Sequence, residues 1–268
     1  RSWRMPAYWA GGNEWRIRFA PPEPGTYRVR SICTDEANPA LHGRETILEA
    51  SVCRSSNQLM AHGYLRVADS GRTLEHRDGT PFFWLGDTWW LGLCQRWSWP
   101  ADFKRMTADR AAKGFTVIQI VAGLYPEMPG FDARGANEAG LPWENGYARI
   151  NPAYFDMADL RIQWLVQSGL VPCIVAAWGY YLSDLGVPKM KQHWRNLIAR
   201  WGSYPVVWAL AGEATMPFYL SKDKEGDTRF QVAGWREVGR YVRQIDPFRH
   251  LVAIHPNTTA RDQVGDDS

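Results

Sequence analysis

The sequence has no apolar run that approaches the ~20 residues needed to cross a bilayer. Residues 1–4 also lack the continuous apolar stretch of a secretory signal. We therefore expect no membrane partner. We also expect a cytoplasmic protein, or a secreted or periplasmic one from which a signal has been removed. The 268 residues, 45% of them hydrophobic, are enough to form one large domain or two modest ones.

Cysteine and clustered charge are also scarce. The four cysteines form no CxxC pair, so we expect free and mostly buried thiols, although Cys33 and Cys53 could pair in an exported protein; the other two are Cys94 and Cys173. The net charge of +3 comes from 31 basic and 28 acidic residues without Lys/Arg clusters. This pattern indicates a solvated surface and predicts no nucleic-acid partner.

Several catalytic signatures are missing from the chain. There is no HExxH, no Walker loop and no GxSxG elbow. The glycines of residues 10–13 lie in a β region without a following helix and cannot cradle a phosphate. We expect no organic cofactor. Metal catalysis stays open, because Asp87, Glu213 and His255 could converge in space.

Aromatic residues, by contrast, are abundant, with 15 Trp, 11 Tyr and 10 Phe. Flat, rigid aromatic faces pack well against the apolar C–H faces of sugar rings, as they do against many ligands in concave sites. The composition therefore favours a carbohydrate ligand without deciding it.

The residues before about Val67 are predicted to form strands and turns. Residues 15–19 and 26–30 alternate in polarity and are separated by the breaker cluster of residues 21–25. A third strand is predicted over residues 46–52. These are too few strands for a complete sandwich.

After Thr80 the pattern changes to strands that alternate with helices, which predicts βα units and a parallel sheet. The predicted strands cover residues 82–87, 115–121, 170–177, 205–210 and 251–254. The predicted helices run from near Pro100 to Gly114, from Asn151 to Gly169, through residues 194–201 and over residues 232–245. The long segment 123–150 suggests a functional loop over the strand ends.

Five strands joined by single crossovers fit a wound α/β sheet or the first part of a (β/α)₈ TIM-like barrel. A full barrel takes about 250 residues, whereas about 190 follow Thr80. The sequence therefore predicts a partial barrel of about five βα units.

Ligands of both architectures bind beyond the carboxyl ends of the strands. Polar and aromatic residues follow all five predicted strands, which is typical of a sugar site. The candidate site residues are Asp87, Trp89, Trp90, Gln119, Tyr125, Trp178, Tyr180, Glu213 and His255.

Glu213 is the candidate catalytic residue. It follows the apolar run 206–211, so its carboxyl is expected to lie in a cleft at the end of a buried strand. Desolvation there favours the protonated form of the carboxyl. Such a group can protonate the leaving oxygen of a glycosidic bond while a second carboxylate acts as nucleophile or base. The alternative is a Glu213 that caps the next helix or pairs with a basic residue.

The other candidates also have structural alternatives. Asp87 could bind sugar hydroxyls or only the backbone at its strand end. His255 could contact a hydroxyl, orient a carboxylate or be a structural residue. Each aromatic candidate could equally be core. Most loop acids are solvated, so a place at the cleft entrance stays open for Glu127, Asp132 and Glu138.

Five segments of the chain carry a family resemblance, namely residues 81–90, 110–119, 178–180, 208–213 and 254–256. In these segments the sequence resembles the apiosidase-like glycoside hydrolases, and the resemblance covers about residues 70–257. Residues 15–25 similarly resemble the β-sandwich domain that often precedes such barrels. The resemblance implies a small, incomplete β-sandwich domain over residues 1–66 and a barrel catalytic domain over residues 67–268.

The resemblance further implies a two-carboxylate glycosidase that acts on an oligo- or polysaccharide. Its acid, at the end of strand four, falls on Glu213, where many relatives have Asp. The partner carboxylate is expected near the end of strand seven, beyond Ser268, and without it the chain is expected to be inactive. A non-catalytic carbohydrate-binding protein and a metal-dependent hydrolase or lyase remain alternatives. Sugar, linkage, stereochemical outcome and oligomeric state stay open.

Overall fold

The N-terminal region forms two separate hairpins in the computed structural model, which describes residues 1–257 and 259–261. Strand β1 (Tyr8–Gly11) pairs antiparallel with β2 (Glu14–Arg16), and β3 (Gly25–Arg30) pairs with β4 (Glu45–Ala50). These strands form two two-stranded sheets, and the β-sandwich type of the domain stays a prediction.

Strand β2 ends at Arg16, earlier than the predicted strand over residues 15–19. Arg18 instead extends towards the helices of the barrel, where its guanidinium binds Asp159 Oδ2 at 2.5 Å and the Arg200 carbonyl oxygen at 2.8 Å. The end of β2 is therefore set by the tertiary contact of Arg18 with Asp159 and Arg200. No periodicity in the sequence predicts β1.

A three-stranded antiparallel sheet connects the hairpins to the barrel. Helix α1 (Gln58–His62) is capped by Asn57 and precedes β5 (Leu65–Val67), β6 (Leu74–His76) and β7 (Pro81–Phe82). The sequence did not predict this unit.

The rest of the chain is built on a five-stranded parallel sheet whose spatial order follows the order of the chain. Its strands are β8 (Gly86–Trp89), β9 (Val117–Leu124), β10 (Val171–Ala177), β11 (Val207–Gly212) and β12 (Val252–His255). A doubly wound sheet reverses direction at a switch point, whereas neighbouring barrel strands follow one another in sequence. The described sheet is therefore an arc of a (β/α) barrel, as predicted.

Four long helices connect these strands. They are α2 (Ala101–Ala112), α3 (Pro152–Gln167), α4 (Tyr181–Trp201) and α5 (Lys224–Ile245). The Asn151 side chain accepts a hydrogen bond from the Ala153 N–H and caps α3, as the sequence indicates. Helices α4 and α5 begin well before the predicted residues, and α4 is interrupted at the left-handed Gly186. None of the described helices combines the length and apolarity of a membrane span.

The first barrel strand differs from its prediction over residues 82–87. Phe82 belongs to β7 and pairs with Leu74 of β6, whereas β8 begins only at Gly86. The apolar run between them passes from one sheet to the other, and Phe83 is 75% exposed. A continuous apolar run carries no periodicity that would show this division.

The core lies between the sheet and its helices. Every residue of β10 and β11 is buried. All four cysteines are free thiols; Cys94 and Cys173 are buried, Cys33 is half-buried and Cys53 is exposed.

Candidate functional site

A cleft of about 250 Å³ opens at the carboxyl ends of the parallel strands. Residues that directly follow strands line its floor, and residues of two longer loops line its rim. The lining residues are Trp90, Pro126, Glu127, Trp178, Tyr180, Glu213, Met216, Tyr219 and His255. The structure thus brings five predicted site residues together.

Glu213 lies one residue beyond the end of β11. Its backbone is left-handed, with φ of 46°, and its N–H donates to the His255 carbonyl oxygen at 2.6 Å. Its carboxylate Oε2 accepts a hydrogen bond from Trp178 Nε1 at 3.0 Å. The side chain lines the cleft, and neighbouring strands hold its backbone and its carboxylate in place.

Two glycines permit this arrangement. A Cβ atom on Gly212 would overlap the Trp178 ring, and one on Gly179 would lie 2.5 Å from the Glu213 carbonyl oxygen. The Gly179 N–H also donates to the Gly212 carbonyl oxygen at 2.6 Å. Close approach of β10 and β11 therefore depends on the absence of side chains at both positions.

Aromatic rings form the wall next to Glu213. The Trp90 ring lies 5.2 Å from both the Trp178 and the His255 ring centroids, and Trp178 lies 5.6 Å from His255. These three rings come from the ends of β8, β10 and β12. Their planes are inclined to one another by 44–74°, so the wall is an angled, mostly apolar surface, and single ring faces on it can pack against a sugar ring.

Tyr180 connects the wall to the loop that follows β9. Its hydroxyl binds the carbonyl oxygens of Tyr125 at 3.0 Å and Met128 at 2.8 Å. Burial raises the pKa of Tyr180 to about 12, so the phenol is neutral and can act as a donor near neutral pH. The loop backbone is thereby fixed at the edge of the cleft.

Two predicted aromatic site residues lie in the core instead. Trp89 is 2% exposed and packs against Trp97 and Phe103. Tyr125 is 1% exposed, and its hydroxyl binds the Tyr154 hydroxyl at 2.6 Å. Neither ring has a free face on which a sugar can stack.

Asp87 does not line the cleft. Its Oδ2 accepts hydrogen bonds from Arg110 Nε at 2.5 Å and Trp89 Nε1 at 3.0 Å, and its Oδ1 accepts one from the Thr88 N–H at 2.8 Å. Partial burial opposes ionisation, but the bonds from Trp89 and Arg110 outweigh it and lower the pKa of the Asp87 carboxyl. This geometry fits a structural anion at the strand end better than a ligand for hydroxyls.

Gln119 lies on β9 and contacts the Cys173 sulfur at 3.8 Å from its Nε2. It is not among the residues that line the cleft. Within the described part of the chain, no group of three or more His, Cys, Asp or Glu side chains is placed to hold a metal ion. The convergence of Asp87, Glu213 and His255 is therefore not observed, because Asp87 faces Arg110.

The loop acids have different surroundings. Asp132 binds the guanidinium of Arg134, and Glu138 accepts a 2.7 Å bond from Arg161. Glu127 lines the cleft, and its backbone is left-handed, with φ of 58°.

Two further lining residues, Met216 and Tyr219, lie in the loop after β11 and were not among the candidates. The length of the loop after β9 was the only sequence signal for Glu127. No pattern in the sequence identified Met216 or Tyr219.

Solved structures with similar folds are glycoside hydrolases. A Bacteroides vulgatus ATCC 8482 protein named as a candidate glycoside hydrolase is 21% identical, with a TM-score of 0.68 over 96% of this chain and 49% of that one. A family 5 glycoside hydrolase from the same strain is 22% identical, with a TM-score of 0.60 over 77% of this chain and 42% of that one. The endo-1,4-beta-mannanase of Rhizomucor miehei is 16% identical, with a TM-score of 0.53 over 76% of this chain and 65% of that one.

At these identities the likeness concerns the fold, and the chain spans about half the length of the first two structures. A comparison with curated proteins finds no match.

Family patterns match both ends of the chain. Residues 1–34 match a domain of unknown function, DUF5060. Residues 68–268 match the apiosidase-like catalytic domain, which is about three quarters of the chain. The chain therefore belongs to the apiosidase-like family.

Proposed function

We propose that the protein is a glycoside hydrolase in which Glu213 donates a proton to the glycosidic oxygen. One observation carries this proposal. The Glu213 carboxylate lies at the carboxyl end of a barrel strand, in a cleft with an aromatic wall, and receives a hydrogen bond from Trp178. Catalytic residues of barrel enzymes characteristically come from this position.

The proposed chemistry uses two carboxyl groups. Glu213 in its protonated form transfers its proton to the leaving oxygen as the bond between that oxygen and the anomeric carbon breaks. A second carboxylate either attacks the anomeric carbon or removes a proton from the attacking water. We expect that carboxylate near the end of a seventh barrel strand. A separation of about 5 Å from Glu213 favours retention, and one of about 6.5–9.5 Å favours inversion.

The proposed substrate is an oligo- or polysaccharide, or its side chains. The half-buried rings of Trp90 and His255 supply the stacking surface for the sugar that reacts. Trp178 and Tyr180, at 5% and 3% exposure, support that surface. No organic cofactor is required by this chemistry. The matches at residues 1–34 and 68–268 support a division into an N-terminal domain over 1–66 and a catalytic domain over 67–268.

The test compares wild type with Glu213→Gln in the longest natural form of the protein that carries this chain. Loss of a general acid slows glycosides with poor leaving groups, by about 10²–10⁴-fold, much more than it slows 2,4-dinitrophenyl glycosides, which need little protonation. The matched control is Glu144→Gln, a loop acid that binds Arg149 and does not line the cleft. Equal rates for Glu213→Gln and wild type on both substrate types would refute the role of Glu213.

Two other outcomes identify the alternative functions. Binding of oligosaccharides without hydrolysis would indicate a carbohydrate-binding protein that uses the same aromatic wall. Hydrolysis or elimination that stops on treatment with a chelator would indicate a metal-dependent enzyme.

A further inference from the structure

Two glutamates in left-handed backbone line the same cleft. Glu213 lies at the strand end, and Glu127 lies three residues beyond the end of β9, with φ of 58°. A side chain with a Cβ atom makes this conformation unfavourable, and glycine or asparagine adopts it more readily. Strained residues that persist at a ligand site point to a role for the side chain that is held there.

The surrounding structure holds Glu127 in this conformation. The Tyr180 hydroxyl binds the carbonyl oxygens on both sides of it, at Tyr125 and Met128, and the Tyr181 hydroxyl binds the Met128 carbonyl oxygen at 3.0 Å. Two buried phenols therefore fix the backbone that flanks Glu127. The carboxylate is presented at the rim by a rigid loop, although the residue itself is exposed.

An aromatic face accompanies Glu127 at the rim. Tyr219 lines the cleft and is 54% exposed. Behind it, Phe218 lies 4.3 Å from the Tyr219 ring and 5.0 Å from the Tyr180 ring. Tyr219 thus has an exposed ring that is supported by the rings of Phe218 and Tyr180. An exposed, supported ring of this kind suits stacking against a sugar.

Tyr180 lies between the two rim residues. Its hydroxyl binds the carbonyl oxygen of Met128, the residue after Glu127, and its ring lies 5.0 Å from the ring of Phe218, the residue before Tyr219. Glu127 and Tyr219 therefore line the same cleft, although they come from the loops after β9 and β11. A carboxylate accepts hydrogen bonds from sugar hydroxyls while an adjacent ring packs on the C–H face.

We propose that Glu127 and Tyr219 form a second sugar subsite, which binds the unit adjacent to the one that reacts at Glu213. The inference rests on the proposed function and adds that the substrate has at least two sugar units. Glu127 determines specificity here through the hydroxyls that it binds, and Tyr219 provides the stacking face.

The kinetic test separates the second subsite from the reacting one. Wild type is first screened with 4-nitrophenyl glycosides of glucose, mannose, galactose, xylose and arabinose. The best sugar is then supplied as its glycosyl fluoride, which occupies the reacting subsite alone, and as its disaccharide. The variants are Glu127→Gln, Glu127→Gly, which suits the left-handed backbone, and Tyr219→Ala. Matched controls are Glu144→Gln and Leu220→Ala.

Loss of a hydrogen bond to a charged group reduces affinity by about tenfold or more. We expect both variants at Glu127 to raise KM for the disaccharide by that factor, and Tyr219→Ala to raise it by about two- to tenfold through the lost stacking contact. All three should leave the glycosyl fluoride within about twofold of wild type. Both controls should match wild type on both substrates. Equal losses on the fluoride and the disaccharide, or no loss on either, would overturn the proposal.

Calorimetry provides a readout that does not need hydrolysis. Wild type should bind cellobiose, mannobiose or xylobiose more tightly than the matching monosaccharide, and Glu127→Gln should abolish that difference. If wild type cleaves nothing but shows this difference, the proposed hydrolase activity fails while the subsite stands. If no disaccharide binds more tightly than its monosaccharide, the subsite fails whatever the activity.

Discussion

Trp178 Nε1 donates a 3.0 Å hydrogen bond to Oε2 of Glu213. The two residues follow neighbouring parallel strands, and Trp178 forms an isolated parallel bridge with Gly212, the residue before Glu213. The same indole also contributes its ring to the aromatic wall. One side chain therefore orients the proposed acid and, at 5% exposure, supports the aromatic wall.

Replacing Trp178 with Phe should separate these two roles. The ring surface is largely kept, whereas the donor to Glu213 is lost. Glu213 becomes charged as it gives up its proton, and a hydrogen bond to a charged group contributes about 1.5–3 kcal/mol, so we expect kcat/KM to fall by roughly 10- to 100-fold. The fall should appear mainly in kcat, because the more exposed rings of Trp90 and His255 still provide the stacking surface. Steady-state kinetics on a natural oligosaccharide measures it.

The matched control for this variant is Trp164→Phe. Trp164 lies on α3, and its indole N–H has no hydrogen-bond partner within the described structure. This substitution should leave kcat/KM within about twofold, because no hydrogen bond is removed. Similar activities for the two variants would show that the Trp178 hydrogen bond has no catalytic importance.

Asp87 should act on stability through Arg110. Their side chains are about three quarters buried, at 26% and 23% exposure. Loss of one partner costs about 3–5 kcal/mol in a fully buried ion pair and at most about 1 kcal/mol in an exposed pair. Because this pair lies between those limits, Asp87→Asn should lower the free energy of unfolding by about 1–3 kcal/mol at pH 7. Urea unfolding, compared with Asp69→Asn at an exposed aspartate, measures this cost.

The same pair predicts a dependence of stability on pH. The folded-state pKa of Asp87 is lowered from the unfolded value of about 3.9. Its stabilising contribution is therefore complete above about pH 4 and is lost as the pH falls through the folded-state pKa. The difference in unfolding free energy between wild type and Asp87→Asn should stay nearly constant from pH 6 to about pH 4 and shrink from there towards pH 2. A difference that stays constant down to pH 2 would contradict the role of the ionised carboxylate.

The sequence predicted the strand-end positions of Glu213 and His255 because apolar runs with β-branched residues precede them. It could not separate Trp89 from Trp90, which are adjacent in the chain. Pairing of Trp89 with Ile120 of β9 directs its ring towards Phe103 of α2, whereas Trp90 turns into the cleft. Which of the two tryptophans faces the cleft depends on strand register, which a single sequence does not specify.

The rim of the cleft could not be predicted for a different reason. Glu127 and Tyr219 lie in loops whose paths depend on tertiary contacts. The bonds from Tyr180 and Tyr181 to the Met128 carbonyl oxygen, for example, join residues more than 50 positions apart. Neither loop has a periodicity that would indicate which side chains reach the cleft.

A methyl group at Gly212 should disturb the site directly. Gly212→Ala places a Cβ atom where the Trp178 ring lies, and overpacking of this kind costs about 1–3 kcal/mol. If the ring moves to relieve the overlap, its hydrogen bond to Glu213 is lost, so activity should fall together with stability. Thermal unfolding and kinetics on the same preparation measure both effects.

Gly239→Ala is the matched control for that variant. Gly239 lies within α5, where the new Cβ atom would meet only the flexible end of Leu210 at 3.2 Å. Alanine is favoured over glycine in a helix by about 1 kcal/mol, so stability should be unchanged or slightly higher. Full activity in Gly212→Ala would show that the close approach of Gly212 and Trp178 is not required.

The N-terminal segment should depend on Arg18 for its attachment to the barrel. Arg18 binds Asp159, which also binds Arg200, and Tyr8 of β1 packs against the Arg200 guanidinium at 4.3 Å. This cluster is largely buried. Arg18→Met keeps much of the aliphatic stem but leaves Asp159 with one cationic partner fewer, at a cost of about 1–3 kcal/mol.

We expect Arg18→Met to lower the melting temperature by roughly 2–8 °C and to expose the first 50 residues to limited proteolysis. Arg16→Met is the matched control, because Arg16 pairs only with the neighbouring exposed Glu14, and such surface changes stay within about 0.5 kcal/mol. Proteolysis is a more specific readout than the melting temperature, because detachment of the N-terminal segment exposes cleavage sites only there, whereas general destabilisation would also expose sites in the barrel. If cleavage sites in both variants match those of wild type, the hairpins are held by their apolar contacts and not by this ion cluster.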